Sequence, residues 1–201
     1  MSASSREEFD SIEFDAAASG DHAAAARQMG NLAATASPAA EMFQAEAFLR
    51  AGEQWMLADE PAEAVICFRR AMATGGPFFL EPYVPLARAL FQLGRDGEAQ
   101  AIITRLKNEA EPDPRICDML AELLVERGDL PAALEWATVG VEQCLRQPGP
   151  ADDQKAVGTG QPKRAAAGDR AELRLLLSLR YRIRNDLGLP EDAYDHMLDD
   201  S

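Results

Sequence analysis

Histidine is almost missing from this sequence. His22 and His196 are the only two, and they lie too far apart in the chain to suggest a local metal site. Cysteine is nearly as scarce: Cys67, Cys117 and Cys144 are odd in number and lack CxxC spacing. Each falls in a helical pattern, so buried reduced thiols are expected, not a disulfide frame or a zinc site. Aromatic residues are few and β-branched runs of period two are rare, which removes the main signals for strands. None of GxxxxGK[ST], GxGxxG or GxSxG occurs. "VGTGQPK" (residues 157–163) has Gly and Lys but neither the spacing nor the flanking strand of a phosphate cradle. No pair of carboxylates is singled out for acid–base chemistry. The expectation is a protein without catalysis, cofactor or metal.

Positive charge is also in short supply. Lys and Arg total 20 against 34 Asp and Glu, a formal charge of -14. Phosphate backbones and anionic lipid select basic surfaces, so neither nucleic acid nor membrane is an expected partner. No apolar stretch is long enough to cross a bilayer, and "MSASSREEFDSIEFD" lacks the basic–apolar–small order of a secretory signal. A cytoplasmic location is expected.

Alanine is what the sequence has in quantity, and it repeats with a period. Ala has the best helix propensity and lets two helix axes approach, so an all-α fold is expected. In "AFLRAGEQWMLADEPAEAVICFRRAMATGGP", residues 47–77, two apolar-striped segments flank a turn signal. The small residue Ala64 has equivalents at Ala25, Ala99 and Ala133, at intervals of 39, 35 and 34 residues. Twelve residues before the last three stand Gly52, Ala87 and Ala121, and three residues after those come the bulky Trp55, Leu90 and Leu124. A period near 34 belongs to stacked helix–turn–helix units, in which no unit buries its apolar face alone. Asp59, Asp96 and Asp129 are expected as caps or first-turn acids of the second helices.

These spacings resemble the tetratricopeptide repeat family. Phe48, Ala51, Gly52, Trp55, Ala64, Phe68, Ala71 and Pro77 follow its pattern. So do Tyr83, Leu86, Ala87, Leu90, Ala99, Ile103 and Pro112, and then Leu120, Ala121, Leu124, Ala133 and Ala137. The unit around Phe9, Ile12, Ala16, Ala25, Met29 and Leu32 is degenerate, with Glu13 where a small residue belongs. The resemblance implies an α-solenoid of antiparallel helix pairs over residues 5–146, divided as 5–40, 45–77, 80–112 and 114–146. Pro82 and Pro85 are tolerated only in a first helical turn, so the helix there should begin near Glu81–Pro82, leaving Phe78 and Phe79 on the linker. Residues 147–168, rich in Gly, Pro and small polar residues, read as a flexible linker. Residues 169–198 then supply a capping helix that starts at Asp169, stops at Gly188, and is followed by a short tail. The tail resembles the endings of small actinobacterial tetratricopeptide-repeat proteins, some with a SEC-C zinc motif. That motif's cysteine cluster is absent, so zinc does not carry over.

In the family, the first helix of each pair lines a concave groove for a peptide or partner helix. The resemblance therefore implies a groove formed by Glu46, Leu49, Glu53, Met56, Glu81, Val84, Arg88, Phe91, Arg115, Asp118, Glu122 and Val125. Family members that clamp a carboxylate use Lys, Asn and Arg there, whereas this chain has Glu46, Leu49 and Glu53. Acidic walls around Leu49, Met56 and Phe91 suit a basic–apolar partner segment. Self-association, or service as a regulatory subunit of an enzyme or transcription complex, remains open at this level.

Overall fold

The computed structural model describes residues 3–36, 40–75, 81–108, 111–146 and 163–198. Among these the protein is all α, without a strand: α1 (Ala3–Ser19), α2 (His22–Thr35), α3 (Glu41–Leu57), α4 (Pro61–Gly75), α5 (Tyr83–Gln92), α6 (Asp96–Lys107), α7 (Pro114–Glu126), α8 (Leu130–Arg146) and α9 (Lys163–Asp186), with a 3-10 turn at Asp195–Leu198. Pro77, Phe78, Phe79 and most of the expected linker lie outside the described residues. The chain forms two compact units, Met1–Arg105 and Leu106–Ser201.

In the first unit, each helix from α1 to α5 packs on the next. α2 and α3 run antiparallel: His22 meets Gln54 at 2.9 Å, and the Gln44 amide donates to the Ala36 carbonyl at 3.1 Å. α3 and α4 are also antiparallel, with Arg70 over the Phe48 ring and Gly52 against Phe68. α1 reaches past its neighbour to α3 and runs in the same direction, since Phe9 stacks on Phe43 and Glu13 pairs with Arg50. The packing residues expected from the sequence are buried where described: Phe48, Gly52, Ala64, Phe68, Ala71, Tyr83, Ala87, Leu90, Ala99 and Ile103 here, and Ala121, Leu124, Ala133 and Ala137 in the second unit. Trp55 is half-buried under Arg27. The helix after the linker prolines starts as expected, with Pro82 as N-cap of α5 and Pro85 in its first turn.

The helix-ending turns carry a period of their own. Gly20, Asp59, Gly94 and Gly128 take left-handed backbone conformations, each five residues before one of the marker alanines. The last three close with the same pair of bonds. The left-handed amide donates to the carbonyl three residues back (Asp59 to Met56, Gly94 to Phe91, Gly128 to Val125), and the next amide donates five residues back (Glu60 to Trp55, Arg95 to Leu90, Asp129 to Leu124). This is the Schellman ending, which satisfies carbonyls that a helix terminus leaves free. Asp59 therefore does not cap α4 as expected; it fills, with φ +58°, the place that glycine fills in the next two turns. Asp96 does lie in the first turn of α6, and Asp129 accepts from the Ala132 amide at 3.3 Å as a cap should.

In the second unit, α9 packs on both α8 and α7. Val141 of α8 and Leu176 and Leu177 of α9 form a buried cluster, flanked by Cys144, Leu173, Tyr194 and Met197. Gly140 marks the closest approach: a Cβ there would stand 2.8 Å from Leu176 Cδ2 and 2.9 Å from Cys117 Cβ. α9 starts at Lys163, inside the stretch expected as linker and ahead of the expected start at Asp169. The run Lys-Arg-Ala-Ala-Ala at 163–167 is made of strong helix formers, which extend the helix beyond the cap signal at Asp169.

Candidate binding surfaces

The first unit gathers three carboxylates around one guanidinium. Arg50 of α3 donates to Glu13 of α1 at 2.7 Å and to Glu46, one turn back on α3, at 2.9 Å. Burial works against the Arg50 charge, but these hydrogen bonds outweigh it and hold the group above its ordinary value. Glu53 lies beyond them on the same helix. Glu53 itself is exposed. Desolvation raises its carboxyl; Arg50 pulls the other way, while Glu13 and Glu46 add to the rise. The Glu13 that breaks the repeat pattern is thus not a packing residue but half of a bridge between α1 and α3.

The second unit has a similar set between α7 and α9. Arg182 donates to both oxygens of Glu122, at 3.1 and 3.2 Å. Asp118 is half-buried, and its carboxyl is raised by burial and by Glu122, with Arg182 opposing. Glu172 of α9 is raised by burial and by Asp118, with Arg115 opposing. Glu122 pairs with Arg182, while Cys117 and Leu176 meet over Gly140, so the two helices run in the same direction.

Of the residues expected to line a groove, Glu46, Glu53, Met56, Glu81, Val84, Arg88, Phe91 and Leu49 belong to the first unit, and Arg115, Asp118, Glu122 and Val125 to the second. Two need correction. Leu49 is 7% exposed and Val84 1% exposed, so both are core residues and offer nothing to a partner. The apolar arc of a helix packed on several neighbours is wider than a single stripe, and it takes in these positions. Glu81 precedes α5 and is exposed; Met56, Arg88, Phe91 and Val125 are half-buried.

The sequence reading missed a buried ionic cluster where the tail returns to α9. Arg180 is 4% exposed. It donates to both oxygens of Asp192 at 2.9 and 2.6 Å, to Asp195 at 3.1 Å and to the Thr138 hydroxyl of α8 at 3.0 Å. The Tyr194 ring lies 4.8 Å from its guanidinium carbon. Arg184 adds Nη1–Asp192 and Nε–Asp195 approaches of 3.0 Å each and donates to the Pro190 carbonyl. Asp192 and Asp195 also tie the turn together, accepting from the Tyr194 and Asp192 amides. Hydrogen bonding to Arg180 holds the Asp192 carboxyl down at about 2. The only sequence signal was an Arg in the apolar stripe of α9, with two Asp three residues apart just beyond the helix. Beside the cluster, Pro131, Leu134, Glu135, Thr138, Val139, Leu187 and Leu189 line an apolar groove of about 580 Å³.

Burial pushes the Cys67 thiol up to about 11 and Cys117 to about 12, so neither is a thiolate nucleophile near neutral pH. Among the described residues no group of His, Cys, Asp or Glu is placed to hold a metal ion, and no helix is long and apolar enough to cross a membrane. Set against known proteins, the chain matches no family model, no curated protein and no solved structure.

Proposed function

We propose that the chain is a tetratricopeptide-like helical-repeat module, a scaffold that binds a basic–apolar segment of a protein partner and performs no catalysis. The observation that carries this reading is the coincidence of two periods: the left-handed turn residues and the marker alanines recur at the same intervals of 39, 35 and 34 residues. Contact between α1 and α3, which skips the helix between them, supports stacking of successive pairs. Such stacking puts α1 and α3, the first helices of their pairs in the first unit, side by side on one surface.

The acidic cluster of Glu13, Glu46 and Glu53 supports the charge of the partner. Its three carboxylates face one guanidinium, and a raised carboxyl marks a place where an added cation gains energy. Met56 and Phe91 supply half-buried apolar surface in the same unit. Fluorescence anisotropy with labelled peptides tests the reading. Peptides that pair Lys or Arg with a nearby Leu or Phe bind and weaken as salt rises, and Glu53→Lys lowers their affinity about tenfold, or about 1.4 kcal/mol. Equal binding of acidic peptides, or capture indifferent to salt, refutes the charge argument.

A further inference from the structure

We propose that Arg180 and Arg184 of α9 form a binding site for an acidic segment carrying an aromatic residue, and that Asp192–Asp195 of the chain's own tail is its resident, displaceable occupant. The site lies in the second unit and is separate from the acidic cluster at Glu53.

The chemistry of the site demands an anion. A closing helix that needed only a lid over Val141, Leu176 and Leu177 would be sealed by apolar side chains. Here the closing helix also buries the guanidinium of Arg180, one turn beyond Leu176, and a buried guanidinium without counter-charge is strongly disfavoured. Arg180 meets Asp192 through two parallel hydrogen bonds, the geometry that makes Arg selective for carboxylate and similar anions. Tyr194 lies over the same guanidinium, so the site also reads a ring between the two acids.

The tail engages the site as a peptide ligand does. It reaches it through Gly188, at φ +68°, then Leu189 and Pro190, and among its described residues the regular structure is the single turn Asp195–Leu198. Three side chains make the contact: Asp192, Tyr194 and Asp195 are half-buried or buried, while Glu191 and Ala193 are exposed. Nor is the fit complete. Arg184 Nε is buried and 3.0 Å from Asp195 Oδ2, but it lacks a directed hydrogen bond. The apolar groove along α8 begins at Thr138, the residue that accepts from Arg180, so a longer segment has somewhere to continue. The occupant recognised is thus an acidic peptide of the form acid-x-aromatic-acid. The tethered tail competes with it at an effective concentration of order millimolar.

The test measures anisotropy of a labelled peptide with the sequence LPEDAYDHML, residues 189–198, against the full chain. With Asp192→Asn and Asp195→Asn in the chain, its own tail loses its charge, and the peptide binds at least ~10-fold more tightly than to the unaltered chain. Adding Arg180→Gln to that chain abolishes the gain, as does placing the two Asp→Asn changes in the peptide instead. Equal binding of the charged and uncharged peptides overturns the proposal. Should the doubly substituted chain lose its helical circular dichroism, a specific protease site inserted between Gly188 and Leu189 gives the answer on the folded, otherwise unaltered chain. After cleavage, exchange of the tail for labelled peptide supports the proposal. A tail that never exchanges, or a chain that rebinds nothing once the tail has left, overturns it.

Discussion

Adding one methyl group at Gly52 is a direct test of how the hairpins are held together. A Cβ built there stands 2.4 Å from Phe68 Cε1, 2.6 Å from Cδ1 and 2.9 Å from Cζ. Carbon atoms in ordinary contact are about 3.5–4.0 Å apart, so the ring would have to retreat by about 1 Å or more. Phe68 is fully buried in α4, and a ring without open space beside it cannot swing aside cheaply. Overpacking of this kind costs roughly 1–3 kcal/mol, against a gain of up to ~1 kcal/mol from replacing a helical Gly by Ala. With the full helix-propensity gain subtracted, the net expectation for Gly52→Ala is a loss centred on about 1 kcal/mol and reaching about 2 kcal/mol. With a urea dependence of about 1–3 kcal/mol per molar, the unfolding midpoint by circular dichroism should fall by roughly 0.5–1 M. Gly30→Ala makes the same chemical change in α2, where nothing lies within 4 Å of the added atom, and should be neutral or stabilising. Combining Gly52→Ala with Phe68→Leu should recover part of the loss, since the two sites share one space. If Gly52→Ala is as stable as Gly30→Ala, close approach of α3 and α4 is not what glycine provides there.

Three further outcomes follow from the same reasoning. Gly140→Ala pushes a Cβ against Leu176 and Cys117 and should cost about 1–3 kcal/mol, read as a lower urea midpoint, with Leu176→Val as the compensating change. Asp59→Gly relieves a left-handed residue that its equivalents Gly94 and Gly128 occupy without strain; thermal melts should show a gain of about 0.5–1 kcal/mol after the added flexibility of the unfolded chain is subtracted. Asp192, lowered from 3.8 to about 2, stabilises the folded chain fully above about pH 4, and this contribution disappears as pH falls toward 2. Its carboxylate is one-third exposed, so the loss amounts to about 1 kcal/mol after solvent screening, and urea midpoints across that window should fall less steeply for Asp192→Asn than for the unaltered chain.

The helices and their packing residues were legible in the sequence because they are periodic. Small residues such as Gly52 and Ala64 recur at fixed offsets from large ones, and a spacing of three or four residues maps onto one helix face without further information. Pro82 and Pro85 fixed the start of α5 through backbone chemistry alone. What escaped depends on direction or on distant partners. Leu49 and Val84 occupy the right turns of α3 and α5, but linear spacing does not say how wide the buried arc will be. Asp59 carries a capping side chain, yet the turn uses its tolerance of the left-handed conformation. Glu13 looked like a defect in the degenerate unit because its partner, Arg50, lies 37 residues away. The pairing of Arg180 with Asp192 and Asp195 needed the tail to fold back on α9, and no period announces a single reversal.

The inward guanidinium of Arg180 also limits what can be built onto this protein. Splicing another hairpin after α9 would displace the tail and with it both carboxylates, leaving a bare cation at the new junction. An engineer adding helices there would have to exchange Arg180 for an aliphatic residue in the same step. Left in place, it acts as a full stop written in charge.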